Sequence, residues 1–150
     1  MVVEKGLHTG YDAEMDTHDI DDDKVVDELE ETMNEGGTIV DTHALVDYFP
    51  ERWFDLCVVL RVNNEVLYPR LEARGYSDRK VQENVRCEIM EVVAEEARES
   101  YKPEIYVELD SNTADEMENN ADILKAWVDT WKPGETWDAS RAGMCNAMAD

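Results

Sequence analysis

Apolar positions change their period along the chain, and each change marks an element. Over residues 1–22 acids and glycines interrupt any period, so this stretch reads as irregular, with a short helix over 2–7. A helix is predicted from Asp21. Val25, Val26, Leu29 and Met33 give it one apolar face. Asp21, Asp22 and Asp23 suit the exposed N–H groups and the dipole at its start, and Gly36-Gly37 stops it. A short apolar strand follows over 38–42. A stronger one over 56–62 is continuously apolar, the pattern of a strand buried on both sheet faces. A helix over 64–74 carries Pro69 near its first turns. Ser77 caps a long helix to about residue 100, with Val81, Val85, Ile89 and Val93 spaced by four. Residues 104–109 alternate as a strand. Thr113 opens a last helix through Ile123, Leu124, Trp127 and Trp131, ended by Lys132-Pro133-Gly134.

Strand alternating with helix predicts an α/β fold with a parallel sheet and flanking helices. The chain has 150 residues, enough for one domain with a sizeable core. Hydrophobic residues make up 43%, which argues against wholesale disorder. No apolar run reaches the ~18 residues of a membrane span, and the first residues do not read as a signal peptide. Cys57, Cys87 and Cys145 are odd in number and widely spaced, which fits a reduced compartment.

Charge sharpens the picture. The net charge is −23, which repels nucleic acid and favours basic partners, so no direct DNA binding is expected. The charge is uneven. Residues 1–35 hold thirteen acids against Lys5 and Lys24, while Arg52, Arg61, Arg70, Arg74, Arg79, Lys80 and Arg86 fall within 52–86. Two readings of that basic stretch stand side by side: an anion such as a nucleotide phosphate, or ordinary helix ion pairs such as Arg79 with Glu83.

The order of motifs is the most informative feature. Gly36-Gly37-Thr38-Ile39-Val40-Asp41-Thr42-His43 precedes Tyr48-Phe49-Pro50-Glu51-Arg52-Trp53-Phe54. Leu60-Arg61 comes next, then Leu67-Tyr68-Pro69-Arg70-Leu71-Glu72-Ala73-Arg74-Gly75-Tyr76. Together they resemble the nuclear adenylate kinase family, also called adenylate kinase isoenzyme 6 or coilin-interacting nuclear ATPase. The resemblance covers about residues 4–132. It implies a phosphate-loop kinase fold, with an adenylate kinase-like domain over 1–134, a lid over about 73–83 and a loose tail over 135–150. The defining motif, Gly-x-x-Gly-x-Gly-Lys-Thr, does not occur in the 150 residues. The central first strand of the sheet is therefore expected to be missing, and the sequence is expected to be a fragment or a truncated gene model. The loop between His43 and Phe49 looks one residue longer than the family pattern, and Val3 stands where a basic residue is usual.

The resemblance also implies chemistry. The family moves the terminal phosphate of ATP, with Mg2+, to a nucleoside monophosphate and hydrolyses ATP slowly. Phosphoryl transfer depends mostly on positioning and charge stabilisation. Spacing alone has Asp41 capping a turn, with His43 bonded to it. The resemblance implies instead that Asp41 holds magnesium through water and that Asp41 and His43 serve hydrolysis. It implies that Arg74, with Arg70 one helical turn earlier, contacts the triphosphate from the lid. Tyr11 and Asp12, with Glu14 and Asp16 nearby, match an acidic segment of the monophosphate-binding region. Arg52 beside Trp53 reads as a structural corner. The expected partners are ATP, a nucleoside monophosphate and a basic small-subunit ribosomal protein, and the expected location is nucleus and cytoplasm.

Two other classes stay open. A scaffold without catalysis could keep the ribosomal partner and lose the kinase. A calcium loop is outlined by Asp19, Asp21, Asp23, Val26 and Glu30, but Lys24 stands where the sharp turn needs glycine.

Overall fold

A computed structural model describes residues 4–42 and 48–138. Where the stretch 1–22 was expected to be irregular, residues 8–20 form a hairpin. Strand β1 (His8–Asp12) pairs antiparallel with β2 (Thr17–Ile20), with a bulge between His8 and Gly10. Residues 4–6 form a turn, where a helix was expected. The hairpin closes through local polar contacts that hydrophobic periodicity does not register. The Asp12 carboxylate accepts the N–H groups of Glu14 and Met15, the Tyr11 hydroxyl donates to Asp16, and Asp16 takes a left-handed conformation. The His18 ring sits between those of His8 and Tyr11 on the same face.

Helix α1 (Asp22–Glu35) forms where its pattern predicts. Asp21 caps it by accepting the Lys24 N–H, and Gly36 ends it at φ 74°. Its buried Val25 and Met33 join Leu7, Phe49 and Trp53 in one core cluster. Residues 38–42 are not a strand, and Ile39 is 93% exposed. A strand needs a neighbour for its backbone groups, and no described strand lies alongside this segment.

Strand β3 (Cys57–Arg61) pairs parallel with β4 (Tyr106–Asp110), from Cys57 opposite Tyr106 to Arg61 opposite Asp110. The α/β expectation holds. Among the described residues β3 and β4 are the whole parallel sheet. Val59 packs against Ala94, Ala97 and Tyr101 in a second core cluster, and Phe54 touches both clusters. The other face of β3 is open where burial was expected: Leu60 is 56% exposed.

Helices α2 (Asn64–Ala73) and α3 (Asp78–Ile89) join at Arg74–Ser77, with Ser77 capping α3. The single long helix expected from Ser77 breaks. It ends at Met90, and α4 (Val92–Ser100) restarts after Glu91, which lies in the left-handed region at φ 55°. The Glu91 carboxylate is held there by Arg61 and Arg98. Fourfold apolar spacing carries no sign of such a tertiary anchor. Helix α5 (Ala114–Thr130) opens with a full capping box from Thr113 and Glu116. Beyond it, residues 135–138 are seated: Trp137 stacks on Trp127, and its N–H donates to the Glu104 carbonyl. No described helix is long and apolar enough to cross a membrane.

Candidate functional site

The carboxyl ends of β3 and β4 open into a cleft of about 350 Å3, lined by Arg61, Val62, Asn63, Glu88, Glu108 and Asp110. In parallel α/β sheets, ligands bind at this edge. The cleft extends past Asn64 and Ile89. Its charges are organised around Arg61, whose guanidinium reaches Glu88 at 2.8 Å, Glu108 at 3.0 Å and Glu91 at 3.3 Å. Arg98 adds contacts to Glu108 at 2.6 Å and Glu91 at 3.1 Å, and the Tyr106 hydroxyl donates to Glu108. Two guanidinium groups thus face three carboxylates. The hydrogen bond to Glu88 leads in pushing Arg61 further toward the charged form. Burial pushes the Glu108 carboxyl up, but hydrogen bonds from Tyr106, Arg98 and Arg61 outweigh it and leave the group below the usual range. Burial alone raises the half-buried Cys57 thiol to about 11, which keeps it protonated at neutral pH.

The residues singled out from sequence are distributed differently. Arg70 lies on the exposed side of α2, and its fork donates to the Ser111 carbonyl at 2.8 Å and the Asn112 carbonyl at 2.6 Å. Arg74 caps the carboxyl end of α2. It is exposed, and no side-chain partner stands beside it among the described residues. Asp41 is exposed in the irregular segment after α1, with no hydrogen bond or ion pair to Arg70, Arg74, Tyr11 or Asp12. His43 lies outside the described residues. Tyr11 and Asp12 secure the hairpin turn. Near it, Arg79 pairs with Glu14, not Glu83, and Lys80 donates to the Asp16 carbonyl at 3.1 Å. Arg52 forms a two-pronged pair with Glu30 and lies over the Trp53 ring, whose N–H also donates to Glu30: a structural corner.

Sequence reasoning missed the Arg61 cluster and the link from the Asn63 N–H to Asn112 Oδ1 at 2.7 Å. Leu60-Arg61 is visible at a strand end, but its three acidic partners lie 27 to 47 positions away. Two members of the calcium loop are engaged elsewhere. Asp21 caps α1 and Glu30 holds Arg52. Among the described residues, no three His, Cys, Asp or Glu side chains are grouped to hold a metal ion. Asp41 stands exposed and belongs to no such group.

A family model described as an AAA domain matches residues 1–91. The chain is 48% identical over 130 residues to an adenylate kinase isoenzyme 6 homolog of Dictyostelium discoideum, covering 87% of this chain and 74% of that protein. It is 48% identical over 132 residues to the homolog of Schizosaccharomyces pombe, covering 88% and 75%. The Candida albicans homolog is 50% identical over 126 residues, covering 84% of this chain and 50% of the relative. With its parallel sheet and flanking helices, this chain belongs to the adenylate kinase isoenzyme 6 homolog family, on a phosphate-loop kinase-like fold.

Proposed function

We propose that these residues form the lid and acceptor side of a nucleoside monophosphate kinase. The enzyme moves the terminal phosphate of Mg-ATP to a nucleoside monophosphate and hydrolyses ATP slowly. The observation that carries this reading is the 48% identity over 130 residues to a protein named as an adenylate kinase isoenzyme 6 homolog. In this reading Arg74 pairs with phosphate oxygens and neutralises transition-state charge. Asp41 orients magnesium through water, and His43 assists hydrolysis. Tyr11 and Asp12 border the monophosphate. The triphosphate cradle, Gly-x-x-Gly-x-Gly-Lys-Thr, is not among the 150 residues. Each charge-assisted bond such a cradle makes contributes about 1.5–3 kcal/mol, so these residues alone bind triphosphate weakly.

A second reading is a scaffold for a basic small-subunit ribosomal protein in nucleus and cytoplasm, where small-subunit maturation takes place. The net charge of −23 suits such a partner.

The test joins a segment carrying Gly-x-x-Gly-x-Gly-Lys-Thr ahead of residue 1 and follows ADP formation from ATP, AMP and magnesium. The fusion is expected to transfer phosphate, and residues 1–150 alone are not. Arg74→Ala in the fusion should lower kcat at least about tenfold without changing the melting temperature. A folded fusion that phosphorylates no nucleoside monophosphate would overturn the kinase reading in favour of the scaffold.

A further inference from the structure

The loop after β4 is bound at three successive carbonyls. Asn120, the one buried polar side chain among the described residues, donates to the Asp110 carbonyl at 2.7 Å. Arg70 donates to the carbonyls of Ser111 and Asn112. The loop's N–H groups are engaged too. Ser111 donates to the Arg61 carbonyl at 2.8 Å, and Asn112 to the Glu116 carboxylate at 2.6 Å. Asn112 Oδ1 in turn accepts the Asn63 N–H. The loops leaving β3 and β4 are thereby joined directly at the carboxyl edge of the sheet. Among the described residues Arg70 is the only hydrogen-bond contributor from α2 to this network, and it carries the only side-chain positive charge bonded to the loop.

We propose that Arg70 is a positioning residue for phosphoryl transfer: its fork ties α2 to the loop after β4 and holds the joined loops in one arrangement beside the cleft. A guanidinium fits two adjacent carbonyls as a rigid fork, and bonds from a charged donor are about twice as strong as neutral ones. Both terminal nitrogens of Arg70 are turned to the loop, whereas Arg74, one turn on, is exposed and has no side-chain partner among the described residues. A loop held at every backbone group gives an incoming nucleotide a preorganised edge. The catalytic part of this inference rests on the kinase reading, but the loop geometry does not.

Two measurements test it. On the 150-residue chain, amide exchange of Asn63 and Ser111 is followed in wild type, Arg70→Ala and Arg70→Lys. Arg70→Ala should speed both amides about tenfold, and Arg70→Lys, which cannot span both carbonyls, should restore only part. In the phosphate-loop fusion, Arg70→Ala should raise KM for ATP about tenfold and leave kcat within about twofold. Unchanged exchange in Arg70→Ala would overturn the proposal. So would a fall in kcat at constant KM, which marks direct contact with the transition state. If the fusion is inactive with Arg70 intact, the kinase reading fails, and the exchange measurement alone decides the role of Arg70.

Discussion

Arg61 shows how one side chain organises a site. It joins β3 to α3, α4 and β4 by pairing with Glu88, Glu91 and Glu108. Removing it takes the guanidinium from Glu88 and leaves Glu91 and Glu108 with that of Arg98. Arg61→Ala should therefore destabilise the fold by about 2 kcal/mol in urea titrations, since stranding half-buried charges costs more than losing surface pairs. The same cluster sets a pH response. Arg98 and then Arg61 hold the Glu91 carboxyl below its usual range, and Glu108 is also lowered. Groups lowered on folding contribute stability above the ordinary glutamate value of about 4.3 and lose it as pH falls through their folded value. Wild type should thus lose stability on acidification below that point, and Arg61→Ala should show a shallower slope. Urea midpoints measured across that pH range distinguish the two. Equal slopes would remove the cluster from the account.

Elements that close their own hydrogen bonds stand where the local pattern puts them. Asp21, Ser77 and Thr113 each accept an N–H from the first turn of the helix they open. Thr113 has the most complete arrangement, because the Glu116 carboxylate returns the bond. Thr113→Ala should cost about 1 kcal/mol and lower the melting temperature by several degrees. It also loosens the loop that Arg70 holds, so amide exchange at Ser111 should rise with it. The segment over 38–42 makes the contrast. It has strand-like residues, yet Ile39 stands in solvent because no described strand pairs with it. The hairpin of β1 and β2 is the opposite case, formed from polar residues by turn bonds and a cross-strand aromatic face.

Across the whole molecule, charge opposes compaction. Thirty-seven acids face fourteen basic residues, and many of the described ion pairs are exposed. Exposed pairs contribute little, whereas a net charge of −23 repels itself across the surface. Raising salt from ~0.05 to ~0.5 M shortens the screening length several-fold, so the melting temperature should rise. A fall would mean that the ion pairs outweigh the repulsion. Two core clusters meeting at Phe54 must hold against this charge, with Phe49, Trp53 and Tyr101 gathered around it.

Local order in the chain was enough to determine α1, α5, their caps, both parallel strands and the family, because helices and caps are completed within a few residues and motif order survives without coordinates. Tertiary structure alone decided the break at Glu91, the absence of a strand neighbour beside 38–42 among the described residues and the separate partners of the arginines, while the hairpin at the start follows from turn contacts that apolar periodicity does not register. The physical reason is range. Arg70 and Arg74 are neighbours on one helix end with the same chemistry, and only the fold brings a loop forty positions away to one of them. A strand likewise exists only beside another strand, and a guanidinium takes its role from whichever acceptors the packed chain delivers to it.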